Sequence, residues 1–143
     1  MPAPAPKTLE AYTNSPKTPH VIRFVVDDRQ TNILISDVNF TFTVDTFGTI
    51  FWNIEFYQRN VTHALGSPNN GYLYVDLMDA NSFQIPGQQI VIGLQHKGCT
   101  DGWIKVVHQD NKSSGYPLGS TLMDLITSLR LRCERITYDT DDC

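Results

Sequence analysis

Positive charge is scarce in this chain. Eleven lysines and arginines stand against fifteen acidic residues, a formal charge of −4 over 143 residues. A protein that neutralises nucleic-acid phosphates needs a basic excess, so nucleic acid is not the expected partner. The one local basic group is Arg130, Arg132 and Arg135. Long apolar runs are also missing. Nothing approaches the ~18 consecutive apolar residues that a membrane helix requires. The opening MPAPAPKTLE has no charged-then-apolar leader pattern. The expectation is a chain not exported by the standard route, or a processed or recombinant form.

Cysteine is sparse too. Cys99, Cys133 and Cys143 are too few for a disulfide framework and show no C-x-x-C spacing. Reduced thiols are expected, although one pair can bridge. Catalytic signatures are absent: there is no G-x-S-x-G and no phosphate-binding Gly-rich loop. His20, His63, His96 and His108 show no H-x-H or H-x-x-x-H spacing. A shared site for His96 and His108 would need a slipped hairpin register. No cofactor is expected.

What the chain has is the texture of one folded domain, at 41% hydrophobic and 18% charged. Five of its eight prolines fall before residue 20. Proline locks φ and removes a backbone donor, so residues 1–19 are expected to form an extended arm outside any sheet. Residues 20–143 then form a single domain.

From His20 onward, strand-like runs alternate with turn signals. HVIRFVVD at 20–27 is a near-continuous apolar run. A turn is expected at 28–32. Val38, Phe40, Phe42 and Val44 alternate with polar neighbours. Phe47-Gly48 turns the chain, and Ile50, Trp52, Ile54 and Phe56 continue the pattern, predicting a long hairpin. A long loop at 59–71 ends in Asn70-Gly71. Leu73, Val75 and Leu77 then oppose Tyr72, Tyr74 and Asp76. Ile85-Pro86-Gly87 reads as a turn. Residues 88–95 and 103–109 read as a hairpin around a Gly-rich loop, followed by a polar loop at 110–119. Leu122, Leu125, Ile126, Leu129 and Cys133 recur at helical spacing, so 121–133 is expected to be a short helix with Arg130 and Arg132 as its basic end. Residues 134–139 are a possible last strand. The sum is an all-β domain: an antiparallel two-sheet sandwich or jelly roll of seven or eight strands with one C-terminal helix.

Three candidate sites follow. Tyr57, Tyr72 and Tyr74, with Phe51, lie opposite the core-forming positions of their strands, so they are surplus to one domain's core. With His63 and Asn60 from the long loop they offer a protein-binding or glycan-binding face. Asp76, Asp79 and Asn81 group oxygens near a strand end and can hold calcium, although the D-x-[DN]-x-[DN]-G loop is absent. Glu55 and Asp76 form a hydrolase-like carboxylate pair if their strands are neighbours. Three N-x-[ST] sequons begin at Asn39, Asn60 and Asn111, and matter only on a secretory route.

The reading that uses most of these features is a non-enzymatic interaction protein. An arm, a sandwich and surplus apolar faces suit a subunit that binds copies of itself or another protein, of virion or surface-assembly type by architectural analogy alone. Such a subunit would reside in a virion or surface assembly, or in the cytoplasm. A carbohydrate-binding module is the alternative, and a small hydrolase using Glu55, Asp76 or His63 the second.

Overall fold

The computed structural model describes residues 5–11, 20–26, 29–60, 69–96, 102–116 and 119–133. The protein is an all-β sandwich of two antiparallel sheets with one short helix. Eight strands are present among the described residues: β1 (Lys7–Ala11), β2 (His20–Val26), β3 (Arg29–Val44), β4 (Thr49–Asn60), β5 (Asn69–Met78), β6 (Gln84–His96), β7 (Ile104–Ser113) and β8 (Ser128–Cys133). Helix α1 (Gly119–Leu125) lies between β7 and β8. The larger sheet runs β1-β3-β4-β7, with β2 also paired to β3; the smaller runs β6-β5-β8.

Alternation decides which face is buried. Ile50, Trp52, Ile54 and Phe56 of β4 pack against Leu73, Val75 and Leu77 of β5 in one core shared by both sheets. The long β3–β4 hairpin expected from the sequence is present, pairing Val44 with Ile50 and Phe40 with Ile54. Strand β3 changes phase part-way. Ile33 and Ile35 face the core at odd positions, whereas Val38, Phe40, Phe42 and Val44 do so at even positions. The register slips between Ser36 and Asn39, and Asp37 sits at φ 52°. One extra residue there restores the apolar side to the core.

Two turns share one design. Asp45 accepts from Phe47 N and Thr49 N through its carboxylate, both at 2.9 Å, and its backbone N donates to Thr49 O. Asp79 does the same with Asn81 N at 2.8 Å and Phe83 N at 3.1 Å, and its backbone N donates to Phe83 O. The residue three along has positive φ in each case, Gly48 and Ser82. These are three-residue hairpin loops. Replacing Asp79 by alanine strips two backbone N–H groups of their acceptor. The expected cost is about 1 kcal/mol in chemical denaturation, in the range of a lost helix cap; an unchanged midpoint would contradict the role assigned to it.

Several expectations need correction. Residues 7–11 are not outside the sheet: this proline-free stretch of the arm pairs with β3, Leu9 opposite Phe40. Strand β3 begins at Arg29, so 29–32 is strand rather than turn. Ile85-Pro86-Gly87 is not a turn but an irregularity inside β6, where the register shifts between Asp76 and Met78 of β5. The segments at 88–95 and 103–109 are not a hairpin. β6 and β7 belong to different sheets, so His96 and His108 stand on strands of different sheets. Residues 110–113 extend β7.

The largest correction concerns 121–133. The helix stops at Leu125, and 128–133 is β8. Of the expected stripe Leu122 and Ile126 are buried, but Leu125 is 39% exposed, and Met123, outside the stripe, is buried in its place. Beyond them Leu129 and Leu131 turn inward between Arg130 and Arg132, which is a strand period. The Lys7 ammonium from β1 donates to the carbonyls of Met123, at 3.1 Å, and Ile126 where the helix ends. No helix of the described residues is long and apolar enough to cross a membrane.

Candidate functional site

The sequence-derived site residues do not form one patch. Tyr57 lies on the outer face of the larger sheet, opposite Ser36 and Lys105. Tyr72 and Tyr74 lie on the outer face of the smaller sheet. The two faces are on opposite sides of the sandwich, so no single tyrosine row exists. Asn60 ends β4 rather than standing in a loop. It is 3% exposed and accepts from the Gln58 amide at 3.0 Å, so it offers no surface contact. His63 lies outside the described residues.

The carboxylates separate in the same way. Glu55 is on the outer face of the larger sheet, 3.4 Å from the Lys105 ammonium. Asp76 is on the outer face of the smaller one, so β4 and β5 are not neighbours and the hydrolase-like pair does not meet. Asp79 and Asn81 belong to the β5–β6 turn, where the Asp79 carboxylate is occupied by backbone N–H groups. No cluster of three His, Cys, Asp or Glu side chains suited to a metal ion occurs among the described residues.

One compact constellation does form, on the outer face of the smaller sheet. Pairing sets Tyr74 between Val91 and Arg132, and Asp76 between Gln89 and Arg130. Although Asp76 is on an outer face, its side chain is fully buried, beneath two guanidiniums whose own side chains are 49% and 43% exposed. Arg130 Nε donates to Oδ2 at 2.9 Å. Arg132 donates Nε to Oδ2 at 2.5 Å and Nη2 to Oδ1 at 3.0 Å, a bidentate fork. The Gln89 amide adds a third donor residue at 3.1 Å. Burial by itself pushes the Asp76 carboxyl up. The hydrogen bonds from Arg132, Gln89 and Arg130 outweigh it and hold the pKa below the ordinary carboxylate value. The same bond raises Arg132. The Arg132 guanidinium also lies 5.2 Å from the Tyr74 ring centroid, in cation–π range.

Beside this network Tyr72 is 42% exposed. Its cross-strand neighbour is Gly93, where an added Cβ would meet nothing within 4 Å. Val91, next to Tyr74, is 46% exposed. The face therefore presents guanidinium donors and an open aromatic and aliphatic floor. It presents no unoccupied carboxylate, because both Asp76 oxygens are taken.

Sequence reasoning found Tyr72, Tyr74 and Asp76 and missed Arg130 and Arg132, which it assigned to the end of a helix. The missed signal was the alternation Leu129-Arg130-Leu131-Arg132.

A second feature lies on the outer face of the larger sheet. A shallow depression of about 170 Å³ is bordered by Thr41, Thr43, Phe51 and Asn53. The buried Asn53 side-chain oxygen has no hydrogen-bond partner.

No family model matches the chain, and no significant match occurs among curated proteins or solved structures.

Proposed function

We propose that this chain is a non-enzymatic interaction protein, a β-sandwich subunit that assembles with copies of itself. The observation that carries the reading is the spread of exposed large apolar side chains over three separate surfaces. Phe47 and Phe83 are 87% and 70% exposed in the two Asp-anchored turns. Ser114 bonds both Gly48 and the Gln88 amide near the start of β6, so both tips emerge at one end of the sandwich. Phe51, Tyr57 and Val107 are exposed on the larger sheet, and Tyr72 and Val91 on the smaller. A monomeric binding module needs one such surface; a subunit with several neighbours needs more than one.

The test is solution mass by light scattering over a concentration series, with and without a chelator. Multiples of 16.2 kDa that grow with concentration are expected. The double variant Phe47→Ser with Phe83→Ser should raise the dissociation concentration at least tenfold. Its melting temperature should stay within about 2 °C of the parent's, since surface changes usually cost under ~0.5 kcal/mol. A strict monomer at every concentration would remove the reading.

The depression at Asn53 favours a second reading, a glycan-binding module, because an amide oxygen without a donor beside Phe51 suits a sugar hydroxyl. Its volume is below the ~300 Å³ of ordinary ligand pockets, which places it second. Asn53→Ala should abolish any glycan-array signal without changing mass.

A further inference from the structure

We propose that the outer face of β5 and β8 is a docking site for an extended acidic peptide segment of a protein partner, with Arg130 and Arg132 each receiving a carboxylate. The inference deepens the interaction reading by naming the chemistry of one face, and it rests on that reading.

The first support is stoichiometry. One carboxylate is neutralised by one guanidinium, yet Asp76 holds two. The cluster therefore keeps one positive charge in a chain whose formal charge is −4. The second is pre-organisation. Asp76 is fully buried and fixes both guanidiniums, which removes most of the ordering cost of a later contact. A guanidinium has five N–H donors. Asp76 engages Nε and Nη2 of each arginine, so the Nη1 groups remain for a ligand on the half-exposed side.

The third support is spacing. Arg130 and Arg132 are two residues apart on one strand, about 6.6–7 Å along it. An extended peptide with acidic residues at every second position has the same repeat. The residues in phase with the acidic ones, and the peptide backbone, face the sheet beside Tyr72 and Val91, while the intervening side chains point to solvent. A sugar acid carries its carboxylates with no such repeat, and nucleic acid would need more than one surplus positive charge.

The same charge decides the geometry of any contact between copies. A two-fold axis through this face would set arginines against arginines, which is unfavourable. Docking here is therefore heterologous, this face on one molecule and an acidic surface on the other.

The experiment uses the full chain and a fluorescein-labelled peptide of alternating Ser and Glu, read by fluorescence anisotropy at low salt. Binding that weakens as salt rises is expected. Arg130→Gln keeps the Arg132 fork on Asp76 and so keeps the fold, which a thermal melt confirms; affinity should fall at least tenfold. Lys105→Gln makes the same charge change on the opposite face and should stay within twofold. A peptide with glutamates three apart and a glucuronate oligosaccharide should both bind at least fivefold more weakly. Equal losses in Arg130→Gln and Lys105→Gln, no binding up to millimolar peptide, or tighter binding of the oligosaccharide would each overturn the proposal. Light scattering separates it from the assembly reading: a monomer that still binds the alternating peptide through Arg130 removes self-assembly and leaves this site standing.

Discussion

An Asp76→Asn variant is expected to lose about 2–3 kcal/mol of stability at neutral pH, the scale of hydrogen bonds to a charged group at a buried site. At ~3 °C per kcal/mol for a domain of this size, its melting temperature should fall by roughly 6–9 °C. The value stays below the ~3–5 kcal/mol of a fully buried ion pair that loses one partner, because the two arginines are half-exposed and recover water when Asp76 goes. The variant also changes the acid limb. The folded Asp76 carboxyl titrates below its ordinary value of 3.8. Its contribution is therefore complete above the unfolded pKa and disappears as pH falls through the lower, folded one. In urea unfolding, the gap between parent and variant should be full at pH 7, begin to narrow as pH falls below ~3.8, and close only once pH has passed below the folded value. A variant that melts within a degree of the parent at pH 7 would show the network to be energetically idle.

Gly48→Ala is expected to be at least as severe, at about 3–5 kcal/mol, the range of the larger point-mutation effects. Gly48 has φ 82°, and an added Cβ would lie 1.9 Å from the backbone oxygen of Tyr116. A left-handed conformation alone costs an L-residue ~1–2 kcal/mol. The rest comes from displacing 114–116. Ser114 donates its N, at 2.9 Å, and its hydroxyl, at 2.5 Å, to Gly48 O. Neither bond survives if the turn backs away. Gly102 supplies the control, since it has φ 81° and nothing within 4 Å of its Cβ position. Gly102→Ala should cost only the conformational share, ~1–2 kcal/mol. Equal melting temperatures for the two variants would mean that the turn at Gly48 relaxes freely.

The all-β class, the β3–β4 hairpin and the inward set of β5 were legible because period-two alternation is written directly in residues 38–56 and 72–77. Legibility failed where one local pattern served two structures. Leu122, Leu125 and Ile126 are helical in spacing, and Leu129 and Cys133 extend that spacing by coincidence. Pairing of β8 with β5 decides the matter, and that pairing is remote in sequence. The placing of β6 and β7 in different sheets was hidden for a similar reason. A Gly-rich connection is compatible with a hairpin and with a change of sheet. Asp76 was seen as a possible calcium ligand because an aspartate in sequence carries no sign of the arginines that will cover it. The candidate site was thus half visible: its tyrosines and carboxylate came from alternation, its cations only from topology.

The arrangement of the smaller sheet has a consequence for synthesis. Its central strand, β5, is flanked by β6 and β8, and the partners of Asp76 lie 54 and 56 residues downstream. A nascent chain in which β5 and β6 have emerged carries an aspartate destined for burial and an open strand edge, with neither guanidinium yet made. Closing that sheet must wait until β8 has emerged, and until then the unprotected edge is open to pairing with other chains. The ion cluster that holds the finished fold is therefore also a timer, set by the distance along the message between Asp76 and Arg130.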